Sequence, residues 1–139
     1  MIIVDTNVIA ELMRPSPDSA VMNWVLHHDQ REFYTTAVTL AEVLYGIARL
    51  DEGRRKDLFT AAAEEVFATF EEHVLPFDRA AAVQYAAIVS AQDRAGLPIS
   101  GFDAQIAAIC LAQKATLATR NVKDFTGTGV EIIDPWHQD

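Results

Sequence analysis

Cysteine is almost absent from this sequence of 139 residues, which contains Cys110 alone. A single cysteine excludes an internal disulfide, and its place in the apolar stretch QIAAICLAQK predicts a buried structural thiol rather than a nucleophile or ligand. The lack of disulfide-forming cysteines indicates a reducing, cytoplasmic setting. Histidine is also scarce, and the four histidines are scattered over predicted surface or terminal positions, at His27, His28, His73 and His137. The sequence therefore offers no Cys/His cluster for zinc.

Long hydrophobic runs are missing as well. No segment approaches the ~20 apolar residues that span a membrane, so we expect no membrane-spanning segment. The apolar run Met1–Val4 is followed directly by Asp5, without a charged flank or a cleavage site. We therefore expect no signal peptide and an unprocessed chain.

Positive charge is in short supply, because 11 Lys and Arg residues stand against 20 Asp and Glu residues, giving a net charge of -9. Contacts to phosphates supply most of the affinity of a nonspecific nucleic-acid binder, so this charge argues against that function. It does not exclude a nuclease whose carboxylates hold cations. The basic run at 54–56 is flanked by Asp51, Glu52 and Asp57, which predicts a solvated helix start rather than an RNA-binding patch.

Strand-like apolar runs alternate along the chain with helix-like periodicity. We predict strands at the sequences MIIVD, EFYTTAVT, HVLPF, ATLATR and VEIID. We predict longer helices over 19–28, 40–50, 54–72, 79–95 and 102–114, with Gly96 ending the fourth. No repeat or linker interrupts this order. It indicates a single α/β domain over 1–139, with a mostly parallel central sheet flanked by helices on both faces.

Three polar residues, Asp5, Thr6 and Asn7, follow the first predicted strand without a break. One interpretation is that Asp5 or Thr6 caps the next helix, as such residues commonly do where a strand leads into a helix. The other is a ligand site, because open α/β sheets bind ligands at the carboxyl ends of their strands. These residues alone leave both interpretations open.

Similar polar pairs precede two later helices. Thr39 and Glu42 fit a capping box, in which Thr39 caps the helix and Glu42 reaches back to it. Ser100 and Asp103 repeat the same spacing before the last long helix. Each pair alone is typical of a helix cap, so a functional role depends on whether the fold brings the carboxylates together.

The predicted sheet gathers these residues at one edge. Glu42 and Asn121 follow strands that end near Asp5, and Asp103 reaches the same edge if its helix crosses there. Carboxylates clustered in a partly dry cleft repel one another unless cations compensate them, and oxygen-rich sites select Mg²⁺ or Mn²⁺. Because Asn121 is neutral, we predict one tightly held ion and a weaker second site. Asp124 is the alternative fourth member.

Five stretches of the sequence carry a family resemblance. They are VDTNVIAEL, TTAVTLAEVLYGIARL, ISGFDAQIAAICLA, TLATRNVKDF and IIDPWH, and in this order they cover nearly the whole chain. This ordered set resembles PIN-domain ribonucleases of the VapC toxin family, in particular the FitB-like branch. The resemblance implies an α/β PIN fold, an endoribonuclease that depends on Mg²⁺ or Mn²⁺, and a VapB-like antitoxin partner that blocks it.

The resemblance also implies site residues. Asp5, Glu42 and Asp103 match the first three acidic positions of the family, and the fourth falls on Asn121, where FitB-like members can carry an aspartate. A metal ion at Asp5 and Asp103 would polarise a phosphodiester and lower the pKa of water, while Glu42 would orient that water or hold a second ion. Supporting roles, in orienting Asp5 or binding phosphate, are predicted for Thr6, Asn7, Thr119 and Arg120.

Two other functions remain open. The segment VDTNV is similar to the nucleophile loop of aspartate-based phosphatases, in which Asp5 would be phosphorylated, but those enzymes need an aspartate where Asn7 stands. The second alternative is a noncatalytic PIN-fold interaction module.

A homodimer is the expected form of the protein, with a higher assembly on antitoxin binding. An isolated acidic subunit is poorly matched to RNA. Pairing would supply a locally positive approach by grouping Arg14, Arg49 and Arg120 of two subunits beside one groove.

Overall fold

The computed structural model describes residues 1–138, which form a parallel sheet surrounded by helices. The strands are β1 (Ile2–Val4), β2 (Phe33–Thr36), β3 (Val74–Leu75), β4 (Thr116–Ala118) and β5 (Glu131–Ile133). The helices are α1 (Thr6–Leu12), α2 (Ser19–Leu26), α3 (Ala37–Ala48), α4 (Arg54–Phe70), α5 (Arg79–Ala95) and α6 (Gly101–Gln113). Short 3₁₀ helices occupy Gln30–Glu32 and Val122–Phe125.

The strand order β3-β2-β1-β4-β5 confirms the predicted α/β class, and every described pairing is parallel. In β1, Ile2 lies opposite Phe33 of β2, while Val4 lies opposite Ala118 of β4. The chain moves outward from β1 through β2 and β3, then returns to the other side for β4 and β5. This reversal makes the crevice at the carboxyl ends of β1 and β4 the topological switch point of the sheet.

Two hydrophobic cores lie on the two faces of the sheet. Ile3 and Leu117 pack with residues of α5 and α6 on one face. Ile2, Val4 and Ala118 pack on the other face with residues of α1 to α4. Successive strand residues point to opposite faces, which is why the central strands are apolar throughout.

Cys110 lies in the core formed with α5 and α6 and is fully buried. Burial raises the pKa of its thiol, since the low-polarity surroundings disfavour the thiolate. The prediction that Cys110 is buried is confirmed.

Polar side chains begin the two helices that start nearest the switch point. Oδ1 of Asp5 accepts a hydrogen bond from the Thr6 N–H across 2.8 Å and caps α1. Oγ of Ser100 accepts a hydrogen bond from the Asp103 N–H across 3.1 Å and caps α6. Both predicted caps are confirmed. Gly96 ends α5 in the left-handed conformation, with φ of 70°, as its position predicts.

The start of α3 differs from the prediction. β2 ends at Thr36, which pairs with Leu75 of β3. The strand is therefore shorter than the predicted segment EFYTTAVT. Oγ1 of Thr36 accepts a hydrogen bond from the Thr39 N–H across 3.0 Å, which makes Thr36 the cap. The predicted capping box of Thr39 and Glu42 is therefore wrong, because Thr39 already lies in the first turn and Glu42 lies inside the helix.

Other boundaries are shifted by short distances. α2 ends at Leu26 and α4 at Phe70, earlier than predicted. β4 ends at Ala118, so Thr119 and Arg120 separate the strand from Asn121, which instead precedes a 3₁₀ helix. Among the described residues, no helix is both long and apolar enough to cross a membrane.

Candidate active site

An acidic cavity of about 240 Å³ opens at the switch point of the sheet. It is lined by the cap of α1, by residues of α1, α3 and α6, and by the segment after β4, namely Asp5, Thr6, Asn7, Ala10, Glu42, Asp103 and Asn121. The structure therefore brings the three predicted carboxylates and the predicted carboxamide to one cavity.

Asp5 is the most deeply buried carboxylate of the cavity, with 3% of its surface exposed. Its Oδ2 accepts hydrogen bonds from Thr119 Oγ1 at 2.8 Å and from Asn7 Nδ2 at 3.3 Å. Burial nevertheless raises the pKa of Asp5, and the negative charge of Asp124 adds to the increase, while these hydrogen bonds oppose it. Asp5 therefore lies in an environment that favours a nearby positive charge.

Glu42 lies inside α3 and is held by a residue of α1. The Thr6 hydroxyl donates a hydrogen bond to Oε1 of Glu42 across 2.9 Å. Burial raises the pKa of Glu42, and repulsion from Asp5 and Asp103 adds to the increase, whereas the hydrogen bond from Thr6 lowers it. Thr6 thus orients Glu42 with its side chain and contacts Asp5 through its backbone N–H.

Asp103 reaches the cavity from the first turn of α6. Burial raises its pKa, and the charges of Asp5 and Asp124 raise it further, while a hydrogen bond with Ser100 lowers it. The pKa values of all three cavity carboxylates are thus raised chiefly by burial, and each is raised further by the charge of at least one neighbouring carboxylate. An assembly of this kind is unfavourable when fully charged, unless a cation balances it.

The segment after β4 supplies the fourth position. Asn121 lines the cavity, and its N–H donates a hydrogen bond to Thr119 Oγ1 across 3.1 Å. Asp124 is exposed, but its charge acts on both Asp5 and Asp103. Arg120 directs its guanidinium over the Trp136 ring, 5.0 Å from the centroid, and its side chain is not part of the cavity lining.

The chemistry of the cavity suits a hard divalent cation. All its side-chain donors are oxygens of carboxylates, a hydroxyl or carboxamides, which Mg²⁺ and Mn²⁺ prefer. Within residues 1–138, however, no three Asp, Glu, His or Cys side chains come close enough to form a preassembled metal cage. This spacing is compatible with Mg²⁺, which commonly takes one or two carboxylates and leaves other positions to water and substrate phosphate.

Ala10 also lines the cavity but was not predicted as a site residue. Ala10 lies one turn after Thr6 and Asn7 on α1, so helical spacing is the signal that would have found it. Its small exposed side chain leaves the cavity open at this point.

All three predicted substrate-guiding arginines have partners within the chain that lie outside the cavity lining, and for Arg120 this partner is the Trp136 ring. Arg14 forms an ion pair with Glu11 at 3.0 Å, and the Arg49 guanidinium lies 5.6 Å from the Tyr45 ring centroid. Their grouping across two subunits stays a prediction.

The fold and the site together define an α/β protein with an acidic cleft at the switch point of its sheet. Residues 2–128 match the PIN domain family, so the chain belongs to that family. It is 37% identical to a protein named VapC ribonuclease Y4jK from Sinorhizobium fredii, over 98% of each chain. It is also 36% identical to Toxin FitB from Neisseria gonorrhoeae, over 99% of each chain.

The solved structures agree with this assignment. The crystal structure of FitAcB from Neisseria gonorrhoeae contains a chain that superposes with a TM-score of 0.90 and 35% identity. The match covers 99% of the present chain and 100% of that chain. The predicted PIN fold and the resemblance to the VapC family and its FitB-like branch are confirmed.

Proposed function

We propose that this protein is a metal-dependent endoribonuclease and the toxin of a type II toxin-antitoxin system. The observation that carries the proposal is the convergence of Asp5, Glu42 and Asp103 in one cavity, in a PIN-domain chain. Its similarity to proteins named VapC ribonuclease and Toxin FitB supports RNA as the substrate and toxicity as the consequence. Because RNA is the proposed substrate, we propose that the protein acts in the cytoplasm. We also propose that residues 1–139 form a single domain.

The cavity residues have separable roles in this proposal. Asp5 and Asp103 would hold one Mg²⁺ or Mn²⁺ ion, and Glu42 would complete its surroundings or contribute to a weaker second site. When bound, such an ion polarises a phosphodiester and lowers the pKa of water. Glu42, oriented by Thr6, would hold the attacking water. Asn121 would offer its neutral carboxamide oxygen to the ion or its side-chain N–H group to substrate phosphate.

An apolar groove supports a protein partner. It has a volume of about 1380 Å³, lies among α1, α2 and α4, and is lined by residues that include Leu12, Val25 and Phe59. A groove of this composition suits the apolar face of a partner helix. Val4 lines this groove and directly precedes Asp5. We infer that an antitoxin segment packs here and offers a basic side chain to the carboxylates in place of the metal.

A homodimer is part of the same proposal. The net charge of -9 opposes the approach of RNA to an isolated subunit. Two subunits that bring Arg14, Arg49 and Arg120 beside one groove would create a local positive field despite this charge.

Incubation of antitoxin-free protein with single-stranded RNA and Mg²⁺ or Mn²⁺ tests the function. We expect endonucleolytic cleavage that stops when the ion is chelated and resumes when it is restored. Release of phosphate from small esters without RNA cleavage would instead indicate a phosphatase, and neither activity would indicate an interaction module. Full cleavage in excess chelator would contradict the metal requirement.

A further inference from the structure

Asn7 connects the two strand ends that form the switch point. Its Nδ2 donates hydrogen bonds to Asp5 Oδ2 at 3.3 Å and to Thr119 Oγ1 at 3.1 Å. Its Oδ1 accepts a hydrogen bond from the Arg120 N–H at 3.0 Å. One half-buried side chain therefore joins the residue after β1 to the backbone of the segment after β4.

Only a carboxamide satisfies these partners at once. The Arg120 N–H is an obligatory donor and needs an acceptor, whereas the Asp5 carboxylate is an acceptor and needs a donor. Asn7 presents its oxygen to the first and its NH₂ group to the second. An aspartate at this position would keep the contact with Arg120 but would place a second negative oxygen beside Asp5.

Thr119 makes the connection a closed network. Its hydroxyl donates to Asp5 Oδ2 at 2.8 Å and accepts hydrogen bonds from Asn7 Nδ2 and from the Asn121 N–H, each at 3.1 Å. Thr119 is fully buried, so water cannot readily replace these contacts. The backbone leading to Asn121 is therefore fixed at two successive N–H groups, one by Asn7 and one by Thr119.

We propose that Asn7 is a positioning residue that couples Asp5 to the segment carrying Asn121, so that both sides of the cavity keep one relative position. This inference rests on the proposed nuclease function for its effect on catalysis, but the coupling itself is a property of the protein without metal or RNA. Asn7 acts through Asp5, Thr119 and the Arg120 backbone rather than on the reacting atoms.

Hydrogen–deuterium exchange of metal-free protein tests the coupling directly. In Asn7→Ala, we expect the Arg120 N–H to exchange at least about tenfold faster, because it loses its acceptor, while Ile3 and Leu117 in the paired strands keep their protection. In Asn7→Asp, the Arg120 N–H should stay protected because an oxygen acceptor remains. Asn23→Ala, on the exposed surface of α2, is the matched control and should change neither amide.

Cleavage kinetics give the second readout. Both Asn7 variants should lower kcat by about tenfold, with the KM for RNA within about twofold of the original value, because the reacting groups are displaced while substrate contacts persist. Asn23→Ala should leave both constants unchanged.

Three outcomes would overturn the inference. Unchanged exchange at Arg120 in Asn7→Ala would show that no coupling exists. Loss of protection throughout β1 and β4 in both variants would assign Asn7 a general structural role instead. A change in KM alone would make Asn7 a substrate contact. If the unmodified protein does not cleave RNA, the proposed function fails, but the exchange experiment still decides the coupling.

Discussion

The Thr6 hydroxyl donates a hydrogen bond to Glu42 Oε1 across 2.9 Å and so ties the first turn of α1 to the interior of α3. The two residues are 36 positions apart in sequence. This contact fixes the one cavity carboxylate that lies beyond the first turn of its helix. The geometry of Glu42 therefore depends on a residue of another helix.

Thr6→Val should lower the cleavage rate by about tenfold, because a hydrogen bond to a charged group typically contributes ~1.5 to 3 kcal/mol and orients the carboxylate. Thr6→Ser keeps the hydroxyl and should retain most of the activity. Single-turnover cleavage of a short RNA at saturating metal would measure both. Equal losses in the two variants would show that the Thr6 methyl group, rather than the hydrogen bond, matters.

Asp5→Asn should reduce RNA cleavage by at least about 10²-fold while preserving the fold, because it removes the charge of the most buried cavity carboxylate with little change in volume. Asp103→Asn should behave alike, and Glu42→Gln should cost activity even if one ion still binds. Calorimetric titration with Mn²⁺ and far-ultraviolet circular dichroism would accompany the assay. Retention of both Mn²⁺ binding and cleavage in Asp5→Asn would rule out its proposed role.

Asn121→Asp should tighten the weaker ion site and shift the metal optimum to lower concentration, because Asn121 lines the cavity and the change adds a negative charge there. Asp124→Asn should have a smaller effect, since Asp124 is exposed and acts on Asp5 and Asp103 through its charge. Cleavage rates over a range of Mg²⁺ concentrations would rank the two variants. The reverse ranking would make Asp124 the fourth ligand.

The raised pKa of Asp103 gives a pH-dependent prediction for metal-free protein. A carboxyl whose pKa is higher in the folded than in the unfolded state stabilises the fold at low pH, and this contribution is lost as pH rises through the folded-state pKa. Asp103→Asn should therefore increase the melting temperature in chelator at neutral pH, and the gain should shrink as pH falls through the folded-state pKa of Asp103. Thermal melts across this range would measure it. A gain that grows on acidification would contradict the sign.

The same shifts affect catalysis. Protonation of Asp5, Glu42 or Asp103 would remove a proposed ligand of the cation, and the pKa values of all three are raised. We expect metal-dependent cleavage to decline on acidification at a higher pH than ordinary carboxyl groups would give. Added metal should move this decline to lower pH, because the ion competes with protons.

Partner binding can be separated from catalysis in the apolar groove. Leu58 is 61% exposed and lines the groove, so Leu58→Asp should weaken inhibition by the antitoxin while leaving RNA cleavage intact. Thr60→Asp, also exposed on α4 but outside the groove lining, is the matched control. Inhibition should be competitive with metal and RNA. A partner that inhibits without affecting metal binding would contradict the proposed basic plug.

Light scattering of the isolated protein would test the homodimer. We expect a dimer at micromolar concentration, with cleavage that falls when dilution separates the subunits. A fully active monomer at micromolar concentration would contradict both the proposed homodimer and the proposed grouping of Arg14, Arg49 and Arg120.

The sequence predicted the sheet class because its signals are local. The apolar run before Asp5, the helix-ending Gly96 and the alternation of strands with helices are all visible within short windows. The start of α3 was not predictable in this way, because both Thr36 and Thr39 can cap a helix. The folded chain distinguishes them, because Thr36 is the last residue of β2, opposite Leu75 of β3, and its hydroxyl accepts the hydrogen bond from the Thr39 N–H.

The candidate site, too, could be predicted only where its signals are local in the sequence. Its carboxylates could be predicted because strand ends and helix starts share one edge in a parallel sheet. The contacts that orient them could not, because Thr6 reaches Glu42 and Asn7 reaches Arg120 across long separations in sequence. The residue types suggested hydrogen bonding, but only the folded chain identifies the partners.

The hydrogen bond between Thr119 and Asp5, across 114 positions, has a consequence during protein synthesis. β1 pairs with β4, so the cavity is incomplete until residues 116–118 have been translated and have joined the sheet. A ribosome that is still making the earlier part of the chain carries Asp5 and Glu42 but no assembled nuclease site. The nascent protein therefore has no complete cavity until β4 has been made and has joined the sheet beside β1.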